Sequence, residues 1–322
     1  LGPITLSGIP SGAILLDGTN ADNVLWTSNG SPVTIFLSDQ PGYHINGAVG
    51  TLTLTTAQYE ALKVLPPVDS GSNFTVTVSV TSYEVDDLGT PIAGVPGATG
   101  TTSVLVDVLA VTDNVEIKIN GSDTHSVTIN EDSQLDLSAL LTKNFSDTDG
   151  SEQRSIILGN LPQGTIINGT VIGVSGTITI SLTGGNTIPA ITLTPPSNFS
   201  GDIMGITITL RAQDTDSDSS HTPAVLTDTV TLDLYVDPVA GDIGVTGVST
   251  AEDTGVNFLT NLAVTDTDGS ETITAITVKG LSADWVIRDT GGTVVHTGDG
   301  IADFTIDPAD VADGDYRNYT LT

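Results

Sequence analysis

The chain has 322 residues, 38% of them hydrophobic, and its 39 acidic and 8 basic side chains give a formal charge of −31. A charge of that sign and size excludes a nucleic-acid binder held by phosphate contacts and a protein docked on an anionic membrane, because both partners would repel it. The absence of cysteine excludes disulfides, thiolate metal sites and cysteine nucleophiles. No apolar run approaches the ~18 residues that cross a bilayer, and no signal-peptide pattern opens the sequence.

A length near 320 predicts two or three domains. The hydrophobic residues are mostly Val, Ile and Leu in short alternating runs, which predicts an all-β chain. Between Gly12 and Pro66 the sequence is longer than the matching stretch further on, and this stretch holds Trp26, Phe36, Tyr43, His44 and Tyr59. We expect extra strands with a local core there; the second reading is a surface for a sugar or peptide ligand. Thr56–Glu60 and 307–311 read as short capped helical turns, the latter with Asp307 as cap and Pro308 in its first turn. Strands are predicted over Phe74 to Val80, Thr177 to Leu182, Ile206 to Leu210 and Val230 to Val236, and Trp285 is expected in a core rather than on a ligand platform. Turn signals separate the runs: Asn29-Gly30, Pro41-Gly42, Asn46-Gly47, Pro96-Gly97, Asn120-Gly121, Asn168-Gly169, Gly184-Gly185 and Gly291-Gly292. Short strands at this spacing predict stacked antiparallel β-sandwiches.

The chain repeats itself. Ile4-Thr5-Leu6-Ser7-Gly8-Ile9-Pro10-Ser11-Gly12 matches Ile156 to Gly164, and Ile276 to Leu281 matches again. Leu65-Pro66-Pro67 matches the Pro195-Pro196 segment, each ahead of a strand. Asn130-Glu131-Asp132 with the block at 147–152 recurs as Ala251-Glu252-Asp253 with the block at 266–271. The alignment divides the chain into 1–113, 114–241 and 242–322. The middle repeat shows every element. The first starts after the point where the Glu-Asp pair and the acidic block would stand, and the third stops where Pro-Pro would follow. Both end repeats are therefore expected to be incomplete, and the sequence to be a window in a longer tandem array.

Aspartate is clustered; 32 of the 39 acidic residues are Asp. One group lies at the junctions: Asp113 and Asn114, then Asp237 and Asp242. A second is the block Asp-Thr-Asp-Gly-Ser-Glu, holding Asp147, Asp149 and Glu152, and again Asp266, Asp268 and Glu271. A third follows a strand, Asp214 and Asp216, with Glu84 and Asp86 at the equivalent place in the first repeat. Glu131 and Glu252 open the fourth. Two carboxylates about 4 Å apart repel by roughly 4 kcal/mol at an effective dielectric near 20. A counter-charge is needed, and calcium suits: it is hard, takes several oxygens and tolerates irregular loop geometry. All sixteen are candidate Ca²⁺ ligands. The blocks are not EF-hand loops, where Gly stands sixth rather than fourth.

In this order, Glu-Asp-Ser/Thr, Asp-Thr-Asp-Gly-Ser-Glu, Leu-Pro-x-Gly and Leu-Thr-Pro-Pro-x-x-Phe-Ser-Gly-Asp (193–202) resemble the tandem extender repeats of giant bacterial type I-secreted surface adhesins, the RTX adhesins. The resemblance implies immunoglobulin-like or cadherin-like sandwiches in a linear array, located outside the cell at the bacterial surface. Glu131 and Glu252 sit where cadherins carry a calcium-binding Glu, and Asp147, Asp149, Asp266 and Asp268 fall on the cadherin Asp-x-Asp. Asp113-Asn114 is similar to the end of the cadherin linker motif. A full Asp-x-Asn-Asp-Asn linker, the Asp-Arg-Glu motif and the Gly-rich nonapeptide repeats are absent from the sequence. The function implied is a monomeric, calcium-rigidified spacer whose partners are its neighbouring repeats. Alternatives are a ligand-binding segment of such an adhesin and a matrix or surface-layer protein assembling through sheet edges. No enzyme is expected: His44, His125, His221 and His296 are scattered, and aromatics are only 4% of the chain, too few for a sugar-stacking cleft.

Overall fold

The computed structural model describes residues 2–20, 22–40, 51–87, 90–147, 150–182, 187–216, 218, 221–266, 269–311 and 316–322. They form an all-β protein. The first repeat holds β1 (Ile4–Ser7), β2 (Ile14–Asp17), β3 (Asn23–Thr27), β4 (Val33–Leu37), β5 (Thr51–Leu54), α1 (Thr56–Glu60), β6 (Leu62–Leu65), β7 (Phe74–Ser82) and β8 (Ala98–Val106). One sheet runs β5-β4-β1-β7-β8 and another β3-β2-β6. Inward residues of both, including Ile4, Leu6, Leu15, Val33 and Ile35, share one core. The long insertion supplies β5 and α1, since β3 and β4 stand where the middle repeat has its own strands beside the equivalents of β2 and β1. Trp26 and Tyr59 pack against that core and Phe36 is buried. Tyr43 and His44 lie outside the described residues. Thr55 caps α1 in a capping box with Gln58, which satisfies two backbone donors at the start of a helix too short to be stable alone.

The middle repeat holds β9 (Val115–Ile119), β10 (Thr124–Asn130), β11 (Leu135–Asp136), β12 (Leu141–Phe145), β13 (Gln153–Gly159), β14 (Ile166–Ile167), β15 (Thr170–Val171), β16 (Ile178–Leu182), β17 (Thr192–Thr194), β18 (Gly201–Gln213) and β19 (Leu226–Asp237). Its sheets run β10-β19-β18-β13-β16, β11-β17-β14-β15 and β12-β9. Alternation drives the packing. Ile206, Ile208 and Leu210 of β18 and Val230, Leu232 and Leu234 of β19 are all fully buried, each contributing about 1.5–3 kcal/mol of apolar transfer. A bulge lies between Ile203 and Ile206, so both face inward although three positions separate them. Gly205 inside it has φ +69°, where a side chain would be strained.

The third repeat holds β20 (Ile243–Gly244), β21 (Val256–Asn257), β22 (Ala263–Val264), β23 (Ile276–Val278), β24 (Val286–Arg288), β25 (Val294–Thr297), β26 (Phe304–Ile306) and β27 (Thr320–Leu321). Its sheets are β21-β27-β24-β25, β23-β26 and β20-β22. Leu259, Leu262, Ile306, Val311 and Tyr316 form a smaller core. The three hydrophobic clusters thus fall within 1–113, 114–241 and 242–322.

Backbone conformation follows the repeat. Gly8, Asn160 and Gly280 have positive φ, as do Gly12, Gly164 and Asp284 four positions later, and Asp132 and Asp253. The order β11-β17-β14-β15 recurs as β21-β27-β24-β25. Two features depart from expectation. The pairs β10–β19 and β4–β5 are parallel, not antiparallel: β9 and β10 are consecutive yet lie in different sheets, so β10 enters its sheet by a crossover and not by a hairpin. Trp285, expected in the core, is 47% exposed. Its aligned positions are Ala13 and Thr165, both wholly buried, and a slot that fits Ala or Thr has no room for an indole.

Candidate metal centres at the repeat junctions

The first centre gathers where the first and middle repeats meet. Carboxylate oxygens of Asp147, Glu152 and Asp214 lie within 4.8 Å of one another. Asp147 and Glu152 lie between β12 and β13 in the chain, and Asp214 directly follows β18. The backbone N–H of Asp214 donates to Thr112 Oγ1 at 2.9 Å, tying the end of β18 to the segment that joins the repeats. Burial and the charges of Asp69, Asp147 and Asp214 hold the Asp113 carboxyl above its ordinary value. Asn73 Nδ2 donates to Asp218 Oδ2 across the same junction at 2.9 Å.

Glu152 is the most perturbed group. Arg154 Nη2 donates to its Oε2 at 2.7 Å, with both side chains almost wholly buried. Its Oε1 meets no donor among the described residues. Burial first, and then a proton shared with Asp147, push its carboxyl up to about 8, with Arg154 pulling the other way. Arg154 also stacks over the Phe145 ring at 4.3 Å. Asp216 is buried beside Asp214; its Oδ1 accepts from the Asp218 N–H at 3.1 Å while its Oδ2 meets no donor among the described residues.

The second centre lies where the middle and third repeats meet, with oxygens of Glu131, Asp266 and Glu271 within 4.8 Å of one another. Glu131, one residue past β10, is 5% exposed. Its Oε1 accepts from the Val239 N–H; its Oε2 is buried and meets no donor among the described residues. Glu271 Oε1 accepts from the Gly241 N–H at 3.0 Å and its Oε2 from Ser270 Oγ at 3.1 Å. Asp266 and Glu271 are the repeat equivalents of Asp147 and Glu152. The third carboxylate differs: Asp214 comes from the same repeat, Glu131 from the preceding one.

Other predicted ligands stand apart. Asn114, Asp237 and Asp242 are exposed, but their backbone carbonyls accept from Ser146, Glu131 and Thr265 N–H groups. Glu252 is exposed beside Trp285. Glu84 and Asp86 sit in an exposed turn, where Asp86 Oδ1 accepts from the Thr90 N–H at 2.8 Å. Asp149 and Asp268 lie outside the described residues. Asp69 and Arg154 were not predicted. Asp69 carried one signal, its place after Pro66-Pro67 where the middle repeat has Asn198; both have positive φ. Arg154 carried another: it is one of few bases in the chain and stands two residues past the block.

The donor sets fit a hard cation. They are all-oxygen and crowded, with Glu131, Asp147, Asp214 and the Glu152 side chain buried and Asp266 and Glu271 half-buried. Glu131 Oε2 and Glu152 Oε1 have lost water without gaining a donor among the described residues, a cost of about 1–3 kcal/mol or more for a charged group. No known family model matches the chain, and no curated protein matches it.

Proposed function

We propose that the chain is a calcium-rigidified spacer of a large bacterial surface adhesin, its repeats stacked to hold an adhesive tip away from the cell. One observation carries this reading: each junction between repeats gathers an acidic cluster containing a buried carboxylate oxygen that meets no donor among the described residues. Asp147, Glu152 and Asp214, with Asp113 beside them, would hold an ion at the first junction, and Glu131, Asp266 and Glu271 at the second. Bound calcium supplies the positive charge that lets these carboxylates stay ionised and close together. The residues do the rest. Glu131 is anchored by the Val239 N–H and Glu271 by the Gly241 N–H, so both carboxylates are held against the linker between repeats. Fixing them to Asp266 removes freedom of one repeat against the next. Extracellular calcium modules bind at about 10⁻⁴–10⁻³ M, which would leave the chain loose inside a cell and stiff outside. Calorimetric melting and small-angle scattering with calcium and with chelator test this. A higher melting temperature and a narrower distribution of dimensions with calcium are expected; identical melting and scattering would refute it.

A further inference from the structure

We infer that the open apolar groove of the third repeat is an acceptor for a β-hairpin of this repeat's own type, with the pattern of residues 201–237. The inference is independent of any metal. The groove, of about 350 Å³, is lined by Ile243, Val245, Leu259, Leu262, Ile276 and Val278 among others. Three observations specify the occupant. First, β23 pairs only with β26 among the described residues, whereas its equivalents β13 and β1 each pair on the opposite edge with a long strand, β18 and β7. In both cases apolar faces apolar: Ile156 and Leu158 stand opposite Leu210 and Ile208, and Ile4 and Leu6 opposite Val80 and Val78. Second, Ile243 and Val245 are 59% and 67% exposed, while the aligned Val115 and Ile117, which pack under β18 and β19, are 8% and 0% exposed. Third, β10 pairs in parallel with β19 and with no other strand among the described residues, and the corresponding stretch 245–251 has no strand.

A single added strand would satisfy the first observation only. A hairpin satisfies all three: its first strand runs antiparallel to β23 with apolar residues two apart, its inner face covers Ile243 and Val245, and its second strand orders 245–251 in parallel. Unpaired backbone and exposed apolar surface in one place are what strand addition uses.

The test adds a peptide of residues 201–237 to the full chain and follows amide hydrogen exchange. Slowing by ~tenfold or more at 245–251 and 276–278 is expected, lost with Val245→Asp, a change at a position 67% exposed in the chain alone. Absence of slowing, or equal slowing in Val245→Asp, overturns the inference. So does slowing at 276–278 that rises with chain concentration alone, which would make a second copy the occupant. A chain carrying residues 195–237 again after Thr322 gives an independent reading should the peptide self-associate. Protection at β23 is expected there, and exchange unchanged from the parent chain counts against the hairpin.

Discussion

The two junctions start from the same six-residue block and reach different electrostatic states. At the first, Glu152 meets Arg154 at 2.7 Å in a buried ion pair. At the second, Glu271 receives two neutral donors, the Gly241 N–H and the Ser270 hydroxyl, and the aligned positions after it, Ile273 and Thr274, carry no charge. The first centre has thus internalised part of its counter-charge. The second depends more fully on what arrives from solution. On the proposed reading, falling calcium would free the second junction before the first.

The largest effect is expected from breaking the first side of that contrast. Above about pH 8, where Glu152 is ionised, Arg154→Met leaves that charge buried and unpaired, and loss of one partner from a buried pair costs about 3–5 kcal/mol. In chelator the variant should melt well below the parent chain; millimolar calcium should recover most of the difference. Failure of calcium to recover it would make the pair purely architectural. Next in size is Glu131→Gln. The amide keeps an oxygen for the Val239 N–H but removes the charge, so cation affinity at the second junction should fall at least about tenfold, or 1.4 kcal/mol. Isothermal titration should show one class of site weakened and the other intact; two unchanged classes would remove Glu131 from the ligand set.

Acidity offers a smaller, signed test. The Glu152 carboxyl is raised to about 8, above its unfolded value near 4.3, so between those limits the folded chain binds more protons than the unfolded one. Stability in chelator should therefore fall as pH rises from about 5 to 8 and level off above. The raised Asp113 adds to the same slope. Cation binding must displace the shared proton, so calcium should flatten the decline and release protons that titrations in buffers of different ionisation enthalpy detect. A decline equally steep with calcium would contradict this.

What could be read before the structure was local. Alternation marked β7, β16, β18 and β19, and Asn-Gly at 120–121 and 168–169 marked tight turns whose two residues both have positive φ. The Asp307 cap was visible because capping is a matter of neighbours in sequence; a Thr cap was also legible at the start of α1, though the residue that makes it is Thr55, one position before the expected turn. The parallel β10–β19 pairing was not visible, since it joins residues over a hundred positions apart and alternation is the same for either direction. Exposure of Trp285 was hidden for a related reason: its slot is sized by other strands. For the centres, the acidic block named the right neighbourhood but not the membership. Glu131 joins Asp266 only because two repeats meet there, and Arg154 matters only because burial removes water from its pair.

The smallest effect should come from Glu84→Ala. Glu84 to Asp87 occupies the place in the first repeat that Asp214 to Asp218 occupies in the middle one, yet no cluster forms around it among the described residues. The reason is partnership. Asp214 sits against Asp147 and Glu152, whereas among the described residues no such pair of carboxylates gathers with Glu84. Exposed and solvated, Glu84 has no desolvation to offset, so its loss should change stability by no more than about 0.5 kcal/mol and leave both classes of cation site as they were. A marked loss of affinity there would mean that crowding alone recruits the ion, and that the burial separating the junction centres from the other acidic turns is incidental.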